Sequence, residues 1–264
     1  MKKAWMLLIS AFFLLPLVVM VLYSLFLRYP YPSLIPIGFT FGFWENMLFQ
    51  NPLFWPSLLT SSWVGFLNGA LSCIVGLMTA RALLRHDFPM KKTLRFLTSM
   101  PLFIPATALF LGAHLVLLRL HLTNTLIGIV LAHMLVTIPY ATNIFIAYFL
   151  GIQQDLENAA RVLGASALVI AERILLPLLK PGIWLSFSIG FLISFSEYFS
   201  TFLIGGGHIR TLSSLFYPFV GNADSGNGSV LGLVFLLMNL TVFILADTLA
   251  KKNKTVQTYL YDMN

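Results

Sequence analysis

The sequence predicts an all-α integral membrane protein with six transmembrane helices, on three observations. Hydrophobic residues fill 58% of the 264 positions and charged residues 9%, with a mean hydropathy of +0.88. Soluble domains carry about 25% charged residues, so these charges are too few to cover a water-facing surface. The apolar residues gather into six runs long enough to cross a hydrocarbon layer of about 30 Å. The lysines and arginines, finally, fall mostly on one side of those runs. Residues 1–264 leave room for a single transmembrane domain and no separate soluble one.

The first run, residues 4–27, follows Lys2 and Lys3. It exceeds the apolar core of a signal peptide, and no small-x-small cleavage site follows it, so it is expected to be a first span. Residues 28–56 form a loop rich in Pro, Tyr and Trp that suits the membrane–water interface, with a short amphipathic helix expected around Phe43 to Phe49. The second span, 57–84, is dotted with Ser61, Ser62, Asn68, Gly69, Ser72, Gly76 and Thr79. Small and weakly polar residues of this kind let membrane helices approach closely. A basic loop ending at Arg95 leads to a third span, 97–118, with Pro101 and Pro105 near its start. The fourth span is 125–149, the fifth 182–204 and the sixth 230–249, the last two joined by a glycine-rich loop, 205–229, expected to be flexible.

Charge sets the orientation. With both termini on one side, thirteen of the sixteen Lys and Arg residues share that side, leaving Arg28, Arg119 and Arg210 opposite. The positive-inside rule then puts both termini in the cytoplasm. The net charge of +7 reports this topology and calls for a lipid bilayer, with no nucleic-acid partner.

The cytoplasmic loop of residues 155–181, DLENAARVLGASALVIAERILLPLLKP, is the longest polar interruption in the middle of the chain. Leu156, Ala159, Ala160 and Leu163 recur at helical spacing and predict a small apolar face. Asp155 is expected to cap this helix and Gly164 to end it, with Glu157 and Arg161 paired four residues apart. A second helical run, 166–179, is expected to kink or end at Pro177.

These residues carry a resemblance. Ala159-Ala160, three residues, Gly164, nine residues and Ile174-x-Leu176-Pro177 resemble the EAA motif of ABC-importer permease subunits. The run Ala160 to Ser166, Ala-Arg-x-Leu-Gly-Ala-Ser, is similar to the branch with polyamine, sulfate, thiamine, iron and phosphonate permeases. The glutamate that usually precedes the two alanines is Asn158 here, with Glu157 one place earlier. The resemblance implies a type I importer (MetI-like) permease fold in a bacterial-type inner membrane. It implies that the loop is a coupling helix docking on a cytoplasmic ATPase dimer through Asp155, Glu157, Asn158, Ala159, Ala160, Arg161, Gly164 and Pro177. A second permease, identical or homologous, and an extracytoplasmic substrate-binding protein are implied as further partners.

Chemistry of the chain's own is sparse. No GxxxxGK[ST], HExxH or CxxC occurs, and the lone Cys73 excludes a disulfide framework, so no catalytic residue, metal or cofactor is expected. Glu197 stands out as a carboxylate inside the expected fifth span, on one helical face with Ser186, Gly190, Ser194 and Thr201. Ser194, Glu197 and Thr201 are therefore candidates to line a translocation path, and the carboxylate favours a polyamine-like or other small charged solute. His114, His121 and His133 are scattered and suit packing or interfacial roles. Two alternatives are weighed: a gradient-driven secondary transporter or channel using Glu197, and a membrane enzyme, which would need clustered polar groups.

Overall fold

The computed structural model describes residues 2–28, 36–222 and 224–251. Part of the expected aromatic loop (29–35) and the basic residues Lys252 and Lys254 lie outside the described residues. Among the described residues the chain is helical apart from one short antiparallel pair. In order the elements are α1 (Lys2–Leu25), β1 (Phe26–Arg28), β2 (Ile37–Phe39), α2 (Gly42–Glu45), α3 (Phe54–Arg85), α4 (Lys91–Ser99), α5 (Ala106–Arg119), α6 (Leu126–Leu150), α7 (Gln154–Val162), α8 (Ala167–Ile170), α9 (Leu176–Ser196), α10 (Phe199–Gly205), α11 (Leu212–Gly221) and α12 (Ser225–Lys251). A wide turn, Asn46–Gln50, extends α2, so a helical segment does form around Phe43 to Phe49. The strands pair Phe26 with Phe39 and Arg28 with Ile37.

Among the described residues five helices are long and apolar enough to cross a membrane: Leu8–Leu25, Phe54–Arg85, Leu126–Leu150, Ala167–Ser196 and Ser225–Ala250. The third expected span, 97–118, is not one helix. It breaks after Leu102, and α4 with its following turn makes an angle of 113° with α5. Pro101 and Pro105 explain the break, because neither can donate the backbone bond that would carry a helix onward. The fifth expected span also breaks. Helix α9 stops at Ser196, and Glu197 takes an extended backbone before α10 begins. The run 166–179, by contrast, does not end at Pro177. It continues from Ala167 to Ser196 through a wide turn, Ala171–Leu175, where the Leu176 N–H reaches the Ala171 carbonyl. A turn widened by one residue absorbs a proline that a regular α-helix would not.

The described residues fall into two compact units, within Met1–Ser61 with Arg210–Asn239 and within Ser62–Ile209 with Leu240–Asn264. In the first unit, the expected flexible loop 205–229 contains α11. Thr211 starts it with a capping box, its hydroxyl accepting from the Ser214 N–H while the Ser214 hydroxyl accepts from the Thr211 N–H. The Ser61 hydroxyl accepts the Leu212 N–H at 2.7 Å. Among the described residues the second unit packs α6 against α9 and α3 and gathers two apolar cores. One gathers Phe110, Leu117, Ile129 and Ile204; the other gathers Ala80, Phe145, Phe149, Ile170 and Leu179. Glycines permit this close packing. A Cβ on Gly190 would lie 3.0 Å from the Gly69 Cα, and one on Gly76 would lie 2.5 Å from the Ala141 Cβ.

Candidate functional site

Helix α7 is short, polar and amphipathic, and it is ended by backbone geometry. Gly164 has φ +85°, a conformation that favours glycine. Its N–H bonds the Arg161 carbonyl at 2.9 Å, and the Ala165 N–H bonds the Ala160 carbonyl at 3.0 Å. These two bonds make a Schellman motif, and Ala160 and Ala165 both pack on the second apolar core. Gly164 thus ends the helix as expected. Asp155 does not cap it: Gln153 occupies the cap position without a side-chain bond, and Asp155 lies exposed in the first turn. Its charge there still complements the helix dipole.

The expected apolar face is divided by the fold. Ala160 is half-buried toward the core, whereas Ala159, Leu156 and Leu163 face outward. Val162 and Leu163 are each 87% exposed, and Asn158 lies exposed beside them. The outward surface of α7 therefore sets Val162 and Leu163 among polar residues, with a neutral amide where the resemblance has a carboxylate.

Glu157 points the other way and is 1% exposed. Its Oε1 accepts the Arg85 Nε–H at 2.9 Å, while Oε2 lies 3.7 Å from Arg81 Nη2 and 3.9 Å from Arg161 Nη2. The expected Glu157–Arg161 pair is thus the longest of three contacts. Arg85 also donates to the Ile152 carbonyl at 2.8 Å and lies over the Phe149 ring, 5.5 Å from its centroid. This guanidinium ties the end of α3 to the end of α6 and to α7. A buried carboxylate is tolerated only when so paired, and breaking such a pair costs about 3–5 kcal/mol. The sequence reading missed the role of Arg81 and Arg85. The available signal was two arginines four apart closing an apolar helix, with an acidic residue in a later loop on the same side.

The second polar constellation is neutral and deep. Asn68 Nδ2 donates to the Gly190 carbonyl at 2.8 Å, and its Oδ1 lies 3.1 Å from the Thr137 hydroxyl. Ser72 joins Thr137 at 2.6 Å. His133 Nδ1 is 2.7 Å from Ser194 Oγ, and Nε2 is 3.2 Å from Thr201 Oγ1. Thr201 also donates to the Glu197 carbonyl at 3.0 Å. An imidazole with its proton on Nε2 satisfies the whole set: Ser194 donates to Nδ1, Nε2–H donates to Thr201, and Thr201 donates onward. His133 therefore spans the break between α9 and α10. Glu197 sits at that break, half-buried, with Oε1 accepting the Ser200 N–H at 3.1 Å. Of the three path candidates, Ser194 and Thr201 are buried and bonded to His133, and only Glu197 reaches the surface.

The family model for the binding-protein-dependent transport system inner membrane component matches residues 72–255, more than half of the chain. The chain belongs to this family. It is the permease component of a binding-protein-dependent ABC importer, an inner-membrane and non-catalytic subunit. It is similar to the spermidine/putrescine permease protein PotC of Haemophilus influenzae, 23% identical over 96% of this chain and 97% of the relative. It is also similar to the probable sulfate permease protein cysT of Nephroselmis olivacea, 25% identical over 70% of each chain. In fold the permease is similar to a chain of a bacterial alginate ABC transporter in complex with its alginate-bound periplasmic protein. There the TM-score is 0.67 at 14% identity, over 95% of this chain and 96% of that one. A chain of the inward-facing MetNI methionine transporter gives 0.63 at 16% identity, over 77% of this chain and 98% of that one.

Proposed function

We propose that this permease pairs with a second permease, identical or homologous, to form a translocation path, and that α7 is the coupling helix that takes the stroke of a cytoplasmic ATPase dimer. A binding protein outside the membrane delivers the solute, and both termini lie in the cytoplasm. The observation that carries this reading is the two-sidedness of α7. Its inner side is fixed by the buried Glu157–Arg85 pair, while Val162 and Leu163 stand 87% exposed on its outer side. Large apolar side chains on a rigid, otherwise polar helix suit a protein partner in water. A push on that surface would pass through Arg85 into α3 and α6. The gradient-driven alternative is set aside by the family assignment, which requires no ion-coupled carboxylate.

Val162→Asp tests the docking role. Both states of the side chain are solvated before assembly, so insertion and thermal stability should stay near wild type. ATPase co-purification and ATP-dependent uptake should fall by more than tenfold. Full uptake with the ATPase still bound would refute the docking surface.

For the substrate, we propose a polyamine-like or other small charged solute, with Glu197 at the α9–α10 break facing the path. Two facts support this reading: the relative covering 96% of this chain is a spermidine/putrescine permease, and Glu197 is a half-buried carboxylate. Titrating the cognate binding protein with spermidine, sulfate and trehalose would test it. Tight binding of a neutral sugar alone would overturn it.

A further inference from the structure

The 113° break before α5 has a consequence for α4. Helix α5 has 14 residues and is about 21 Å long, so it reaches most of the way through the hydrocarbon layer. With α5 near the membrane normal, a helix at 113° to it departs from the membrane plane by the excess over a right angle, about 23°. The residues of α4 suit that placement. On a helical projection Lys91, Lys92, Arg95 and Ser99 fill one arc and Leu94, Leu97 and Met100 the opposite one, with Phe96 at the border, four residues from Lys92. Leu94 is half-buried, and the rest of the apolar side is left uncovered by the described residues. Phe96 is 66% exposed, Leu97 54% and Met100 40%, and Phe103 just beyond is 84% exposed. Lys92 and Arg95 are exposed as well, whereas Lys91 is engaged by Asp87 at 2.9 Å. That ammonium holds the Asp87 carboxyl below its ordinary range, so the pair is ionised and Lys91's charge is neutralised locally. The helix begins six residues after Arg85, which binds the α7 cluster, so α4 starts beside the basic edge of the second unit.

We propose that α4 lies in the membrane–water interface, with Phe96, Leu97 and Met100 below the headgroups and Lys92 and Arg95 binding the phosphates of anionic phospholipids. The occupant is the bilayer itself, because a basic arc bordering a bare aromatic and aliphatic arc complements an anionic headgroup over an acyl layer. Only the choice of leaflet, the cytoplasmic one, rests on the proposed topology. Lipid contact does not depend on it.

The test uses the full-length permease assembled with its ATPase in lipid nanodiscs, where both leaflets are accessible. A bimane label is placed at Phe96→Cys or at Arg95→Cys; native Cys73 is buried. Brominated lipid should quench the Phe96 label strongly and the Arg95 label weakly, while aqueous iodide should do the reverse. Brominated phosphatidylglycerol should quench the Phe96 label more than brominated phosphatidylcholine. Each of Lys92→Gln and Arg95→Gln should reduce that preference by up to about fivefold at low salt. Quenching of Phe96 by iodide alone, equal quenching by both lipids, or protection from lipid and iodide together, as a protein cover would give, would each overturn the proposal. A wrong leaflet would leave all of these results unchanged, so the topology and the lipid site fail separately.

Discussion

Glu157 and His133 both sit in the second unit and both join pieces of helix, yet they do so with opposite chemistry. Around Glu157 one carboxylate meets three guanidinium groups, and the outer two, on Arg81 and Arg161, are substantially exposed. Around His133 every partner is a neutral hydroxyl or carbonyl, and the ring is 1% exposed. The difference follows from the surroundings. At a water-facing edge the solvent and the extra arginines offset the cost of burying one carboxylate. Inside the helix pack a net charge has no such relief, so polar joints there are built from short, uncharged hydrogen bonds. The ionic joint holds a surface helix to the body; the neutral joint holds a broken helix together.

The ionic joint should give the larger response. Glu157→Ala would leave Arg85 partly unpaired against the Phe149 ring and the Ile152 carbonyl, at a cost of about 3 kcal/mol. Faster amide exchange across α7 and loss of uptake are expected. Arg85→Ala should do the same, and the double variant should be little worse than either single one, since both remove one interaction. Additive losses would show that the two residues act separately.

His133→Leu should cost about 1–3 kcal/mol by stranding Ser194 and Thr201, read as a lower melting temperature of the purified permease. His133→Gln, which keeps a donor and an acceptor, should recover part of it. If Leu and Gln behave alike, the ring contributes only volume.

Gly164 gives a smaller, purely backbone effect. A Cβ there meets nothing within 4 Å, so the penalty comes from φ +85° alone, about 1–2 kcal/mol for a β-branched residue. Gly164→Val should impair uptake and leave insertion intact, and Gly164→Asn should fall between it and wild type. Equal behaviour of the two variants would place the effect in crowding against a partner. The smallest stability change is expected for Glu197→Gln, since an amide oxygen also accepts the Ser200 N–H. Its uptake kinetics should shift more than its melting temperature; unchanged kinetics would leave Glu197 a structural residue at the helix break.

Much of this architecture was legible in composition and periodicity. The apolar runs marked the long helices, and the small residues of the second run, Asn68, Gly69, Ser72 and Gly76, do face α6 and α9. What escaped was decided by pairing across the chain. Hydropathy sees residues 97–118, the end of α4 and all of α5, as one span, because Pro101 and Pro105 hardly alter an average while they abolish two backbone donors. Likewise it reads residues 182–204 through the α9–α10 break. The glycine count of the 205–229 loop hid α11, whose start is set by the local Thr211–Ser214 exchange. In the site, spacing within residues 155–166 located α7 and its Gly164 end. The partner of Glu157, by contrast, is 72 residues away in sequence. No periodicity within one segment carries that information.

A coupling role for α7 requires its outer side to meet an ATPase in the cytoplasm while Glu157 and Arg85 fix its inner side. Labelling Val162→Cys with a membrane-impermeant maleimide tests it most directly, in inside-out vesicles with and without the ATPase. Rapid labelling of stripped vesicles and protection of at least tenfold on reassembly are predicted. Labelling that is equal in both states, or that occurs only from the opposite face of the membrane, would contradict it.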